Sequence, residues 1–178
     1  MVEPANGFEF LELLGRKNGK KEQKYNDFFR YLEYKARQKK VPVCGYFELT
    51  PRDSAQESLP IDTWKCLMHQ AWEAGMIRAS FSERASRGYA GFEELVHYLH
   101  SIGCEVVVAA DGNDCTAGGE GLSSFVMDST GTVTPGRQLD WIRADALREG
   151  FKAAWEKVSG EVSIRTAVSK RECVASAI

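Results

Sequence analysis

The sequence predicts an α/β protein in which three βα units build a parallel sheet, followed by a C-terminal β-hairpin and a helix. Three observations lead there. Apolar runs of strand length alternate with amphipathic stretches of helix length as far as residue 113, the rhythm of right-handed βαβ units. Gly75 and Gly103 stand where two of those helices would stop, because a helix commonly ends on a residue with positive φ that glycine adopts without strain. Past residue 122 the pattern changes to two short strand-like runs around Ser129-Thr130-Gly131, the composition of a hairpin turn.

Taken in order, residues 8–14 are a short apolar segment ended by the basic run RKNGKKEQK, residues 16–24. That run reads as a solvated approach to a helix rather than a phosphate- or leader-peptide-binding patch. Tyr25, Phe28, Phe29, Leu32 and Tyr34 recur with helical spacing and predict an amphipathic helix over 25–38. Residues 41–49 (VPVCGYFEL) read as a strand with Pro42 near its start, where a missing donor is tolerated. A second helix opens after Pro60, capped by Asp62 or Thr63, and carries Trp64, Leu67, Met68, Ala71 and Trp72 to Gly75. Residues 76–81 form the second strand and 92–101 the third helix. Residues 105–110 (EVVVAA) have the look of a strand buried on both faces. The hairpin is placed at 123–128 and 132–134, and a last amphipathic helix at 144–158 despite Gly150, with Leu147, Phe151 and Trp155 in one stripe. Weak periodicity from Ser159 predicts a partly disordered tail.

The chain has 178 residues, 43% hydrophobic and 27% charged, enough for one domain with a core. Lys and Arg number 23 and Asp and Glu 25, a net charge of −2, which argues against nucleic acid as a partner. No apolar run approaches the ~20 residues that span a bilayer, and the first ten residues, MVEPANGFEF, lack the apolar core of a secretory signal. No membrane partner and a cytoplasmic location are therefore expected. Of the five cysteines, Cys44, Cys66 and Cys104 read as buried structural thiols. No CxxC is present and no disulfide framework is expected. Ser123-Ser124 lies in no GxSxG elbow, and the Gly118–Gly121 run precedes a hairpin rather than the helix a phosphate cradle needs.

The string Gly45-Tyr46-Phe47-Glu48-Leu49-Thr50-Pro51-Arg52 resembles the first barrel strand of the radical SAM enzymes. The helix to Gly75, the strand at 77–82 and the segment GFEELVHYLHSIGCEVVVAADGN at 91–113 follow the same family's order. CTAGGEGLSSFVMDSTGTVTPGRQLD, 115–140, then resembles the start of a SPASM-type extension. The resemblance spans roughly residues 43–173 with a large internal gap, and it implies a partial (β/α) barrel-like sheet. It divides the chain into an N-terminal helical segment (1–40), a βα region (41–113) and a hairpin–helix extension (114–178), together one compact unit.

The chemistry of that family is not retained. Asp53-Ser54-Ala55-Gln56-Glu57-Ser58 replaces the three-cysteine loop, and a [4Fe–4S] cluster needs cysteine thiolates. Ser82-Glu83-Arg84-Ala85 stands where a Gly-Gly-Glu would contact the amino group of S-adenosylmethionine, and Thr134-Pro135-Gly136 replaces Thr-Pro-Cys. The expectation is a degenerate, non-catalytic relative without a cofactor, serving as a peptide- or protein-binding scaffold. The competing reading is a radical SAM iron–sulfur enzyme acting on a peptide. Glu83 and Asp111 are the candidate cofactor-binding residues, within an acidic rim with Glu48, Asp53 and Asp114 at the end of the sheet where ligands bind in parallel α/β folds. Cys115 and Cys173 are the candidate metal ligands, with His97 and His100 a weaker i, i+3 pair on one helix. Three parallel strands leave open edges. The hairpin, the N-terminal segment or a second copy of the chain in a homodimer is expected to cover one of them. The alternative fold is a small open three-layer sheet, with the helices at 25–38 and 144–158 on its two faces.

Overall fold

The computed structural model describes residues 19–51, 57–109, 122–136 and 139–175, with backbone alone for 19–23 and 166–175. Helix α1 (Gly19–Lys39) leads into β1 (Cys44–Phe47), α2 (Ile61–Glu73) and β2 (Arg78–Ser82). The short α3 (Glu83–Gly88), α4 (Phe92–Ser101) and β3 (Glu105–Ala109) complete the βα region. The hairpin β4 (Ser124–Met127) and β5 (Thr132–Thr134) follows, then β6 (Ala144–Asp145), α5 (Ala146–Glu149) and α6 (Phe151–Ala175).

All six strands belong to one open, mixed sheet in the order β3-β2-β1-β4-β5-β6. The three βα units are present and parallel, with Cys44, Arg78 and Glu105 in one register row. The hairpin does not sit apart from them. Strand β4 pairs parallel with β1, and β5 and β6 continue antiparallel beyond it. A barrel-like closure is therefore replaced by an open sheet, and the hairpin covers the edge of β1. At the far side β3 pairs with β2 alone among the described strands. This explains why its valines are only partly buried and Val108 is 45% exposed, where the apolar run had suggested burial on both faces.

Alternation along the strands sorts the two faces. Phe47, Ala79, Phe81, Phe125 and Met127 join the main core, covered by Trp64, Leu67, Met68 and Ala71 of α2, Leu95 and Leu99 of α4, and Phe151, Ala154, Trp155 and Val158 of α6. On the opposite face, Phe29 and Ala36 of α1 pack against Val43 and Cys44. The helices near 25–38 and 144–158 thus do cover opposite faces of an open sheet.

Three joints between helix and strand repeat one device. After α1, Lys40 N donates to Arg37 O at 3.3 Å and Val41 N to Ala36 O at 2.9 Å. After α2, Gly75 N and Met76 N donate to Trp72 O and Ala71 O, and after α4, Gly103 N and Cys104 N donate to His100 O and Leu99 O. Each is a Schellman closure: two orphan carbonyls are satisfied, the residue after the helix takes positive φ, and the next apolar residue folds back. Gly75 (φ 117°) and Gly103 (φ 79°) serve the second and third joints, but the first uses Lys40 at φ 55°.

Other boundaries moved for identifiable reasons. The α2 N-cap is Pro60, with no side-chain cap bond, and Asp62 lies in the first turn. The helix predicted over 144–158 is interrupted by Gly150 at φ 79°, a conformation no helix contains. Residues 144–145 instead pair with β5, and Asp145 caps α5 by accepting from Leu147 N and Arg148 N. Leu147, expected in the buried stripe, is 46% exposed. The tail expected to lose structure continues α6 to Ala175. Val158 and Val162 extend the stripe of Phe151, Ala154 and Trp155, and Arg165 pairs with Glu161 one turn earlier at 3.0 Å. Ser159 and Gly160 dilute that stripe in the sequence.

Lys40→Gly is expected to raise stability by about 1 kcal/mol, because a Cβ in the left-handed region costs roughly 1–2 kcal/mol. Gly75→Ala is expected to lower it by at least that much, since its Cβ would stand 2.4 Å from Val41 Cγ1. Urea-unfolding midpoints of the two variants, with unchanged slopes, check both signs.

Candidate functional site

A groove of about 1040 Å³ opens beside the N-terminal ends of the strands, between the first joint, the last turn of α2 and the start of α6. The joint contributes Lys39, Lys40, Val41 and Pro42. Gln70, Glu73 and Ala74 come from the end of α2, and Glu149 and Ser159, with Lys152, Ala153, Trp155 and Glu156 between them, supply the opposite wall. Its volume lies just above the ~300–1,000 Å³ typical of small-molecule sites, and its lining mixes apolar and charged groups.

Two partly buried hydrogen bonds hold the walls together. Trp155 Nε1 donates to Lys40 O at 2.7 Å, tying α6 to the strained joint. Phe151 N donates to Gln70 Oε1 at 2.8 Å, tying the start of α6 to the end of α2. The same Gln70 donates from Nε2 to Cys66 Sγ at 3.3 Å. Of the acidic lining residues, Glu149 is paired with Lys157 at 2.5 Å, and Glu73 lies 3.7 Å from His69 Nε2. His69 Nδ1 is 2.9 Å from Tyr98 OH on α4.

The residues singled out from the sequence lie elsewhere. Glu83 begins α3 at the opposite, C-terminal end of β2, where its carboxylate accepts from Arg87 Nη2 at 3.3 Å. Glu48 follows β1 at that same end. Asp53, Asp111, Asp114 and Cys115 lie outside the described residues, and Cys173 is described only as a backbone position on α6. His97 and His100 are both exposed on α4. Among the described residues, no group of three or more His, Cys, Asp or Glu is placed to hold a metal ion.

The three cysteines whose side chains are described do not fit a shared cluster. Cys44 is buried beneath α1 and Cys104 in the main core on the opposite face of the sheet. Burial pushes the Cys104 thiol up to about 12, so it stays protonated at neutral pH. Cys66, expected to be buried, is exposed on α2. That helix buries Trp64, Leu67, Met68 and Ala71, and position 66 falls outside their stripe.

A second polar cluster fastens α1 to the sheet. Arg78 Nε and Tyr25 OH both donate to Glu105 Oε2, at 2.6 and 2.7 Å, and Arg78 Nη2 donates to Tyr25 OH at 3.3 Å. The guanidinium carbon stands 3.5 Å from the Phe29 ring centroid, a cation–π contact. Burial, then the hydrogen bond to Glu105, pushes the Tyr25 phenol from 10.0 up to about 12.

The groove was missed because its lining comes from three separated segments, none of them a motif. One signal was present: Lys40 stands at the helix stop where the second and third joints have Gly75 and Gly103. Comparison with protein-family models, with curated proteins and with solved structures finds no match to this chain.

The phenol predicts an alkaline transition. A group whose folded pKa is raised adds stability that is complete below its unfolded pKa and is lost as pH climbs through the folded one. The chemical-denaturation midpoint is thus expected to fall between pH 10 and about 12, and Tyr25→Phe is expected to flatten that fall. An equal slope in both proteins would assign it to other groups.

Proposed function

We propose that the chain is a degenerate, non-catalytic relative of the radical SAM and SPASM proteins that acts as a peptide-binding scaffold, with the groove beside Lys40 as its binding surface. The observation that carries this reading is the groove itself: large, open and lined by both apolar and charged groups, the mixture suited to an extended peptide with several side-chain types. The loss of cysteines at the cluster loop supports the non-catalytic part, since thiolates are the ligands such a cluster requires. So does the separation of Cys44 and Cys104 on opposite faces of the sheet.

Anaerobic reconstitution with iron and sulfide is expected to leave no stoichiometric iron on the protein after desalting, with or without S-adenosylmethionine. A retained cluster, read by visible absorption and iron quantitation, would overturn the non-catalytic reading. In parallel, fluorescence anisotropy against a randomised peptide library is expected to find binders in the absence of iron. Ala153→Trp, which fills the groove wall, is expected to weaken them by about tenfold, or ~1.4 kcal/mol, without lowering the melting temperature. Binding unchanged in that variant would move the site elsewhere.

A further inference from the structure

Resting on that reading, we propose that the groove selects peptides carrying an acidic side chain, with Lys39, Lys40 and Lys152 as the residues that read it. Six charged groups line the cavity: Lys39, Lys40 and Lys152 against Glu73, Glu149 and Glu156. Their formal charges cancel, but their pairing does not. Glu149 is neutralised by Lys157 from the next turns of α6, and Glu73 faces His69. Among the described residues, none of the three lysines has a carboxylate within ion-pairing distance. Among the described residues, the groove therefore offers three ammonium groups without a carboxylate partner against two carboxylates without a Lys or Arg partner, Glu156 and Glu73, the second lying 3.7 Å from the His69 imidazole. Complementary charge is what fixes partner choice and register at such a surface.

The backbone adds an independent mark on Lys40. The two sister joints place glycine where φ must be positive, and at this joint alone a long, charged side chain occupies the position, at φ 55°. Strain of this kind is held where the surroundings over-determine it and is concentrated at binding sites. Here the Lys40 carbonyl is fixed by Trp155 Nε1, so the joint is pinned while Lys40 lines the cavity. Glycine would make a more stable joint and would remove a cation from the groove.

The test uses the full chain and three fluorescein-labelled peptides of one groove-binding sequence, differing only in a central Glu, Gln or Lys. The Glu peptide is expected to bind about tenfold more tightly than the Gln peptide at low ionic strength, a preference that shrinks at physiological salt. The triple variant Lys39→Gln, Lys40→Gln and Lys152→Gln is expected to lose that preference while holding the Gln peptide as before. Lys40→Gly alone is expected to reduce the preference while raising the melting temperature, an opposition that a purely structural role for Lys40 would not produce. Equal affinity for the Glu and Gln peptides, or a preference that survives the triple variant, would overturn the inference and leave peptide binding standing. No binding of any of the three peptides would overturn peptide binding in this groove, and this inference with it.

Discussion

Strand β1 is the constraint on which the rest of the molecule depends. Its four residues are all buried, and it pairs along both edges, with β2 on one side and β4 on the other. Such a strand has no freedom to slip, because a shift of one residue would exchange its two faces. Gly45 at its centre makes the packing above it possible. A Cβ there would stand 2.5 Å from Phe125 Cζ and 2.9 Å from Met76 Sδ. With no side chain in that space, Phe125 lies edge-on to Phe47 at 5.7 Å between ring centroids. Phe47 in turn meets Trp64 of α2 and Phe81 of β2, and Phe125 meets Phe151 and Trp155 of α6. Edge-to-face and offset aromatic pairs of this kind add roughly 0.5–1.5 kcal/mol each beyond the area they bury. They also have direction, so β1 fixes where α2 and α6 lie. The groove exists because those two helices are held at that place.

Much of the architecture was legible in the residues because it rests on local signals. The three βα units follow from strand-length apolar runs, from the stripe Trp64, Leu67, Met68 and Ala71, and from Gly75 and Gly103 as helix stops. Gly131 likewise marks the hairpin turn, where Asp128 Oδ1 accepts from Thr130 N and Thr132 N. What escaped was tertiary. Nothing in SSFVMD says that it pairs parallel with β1 as well as antiparallel with β5, and a hairpin read alone looks like an appendage. The exposure of Val108 depends on which neighbours arrive, not on the residues beside it, whereas that of Cys66 follows from its place outside the stripe of its own helix. Gly150 shows a different limit: an amphipathic stripe running through a glycine favours a continuous helix, yet the pairing of Ala144 with Val133 forces a turn there.

The candidate site divides along the same line. Residues chosen for chemistry, such as Glu83 and Asp111, followed a location rule for parallel sheets and a family pattern. Glu83 in the structure is the first residue of a six-residue helix whose Ser82 cap accepts from Ala85 N at 3.0 Å, and a bond to Arg87 one turn later accounts for its carboxylate. The groove, by contrast, is assembled by long-range contacts. Lys40 and Trp155 are 115 residues apart, and Gln70 and Phe151 are 81 apart. No local pattern encodes such a meeting. Only the exchange of glycine for lysine at one of three equivalent joints leaves a trace in the sequence.

That exchange separates stability from function in this fold. A sheet with β1 locked at its centre does not need Lys40, since the sister joints close as well with glycine. The carbonyl of residue 40 is a backbone group, so its bond from Trp155 would remain with any residue at that position. The side chain therefore adds nothing to the joint that glycine would lack, while the left-handed conformation works against it. A group that weakens its own element and lines this groove is better explained by what enters the groove than by the fold. The same reasoning separates Lys40 from Arg78. The Arg78 charge is engaged by Glu105, Tyr25 and Phe29, and the docking of α1 accounts for it completely.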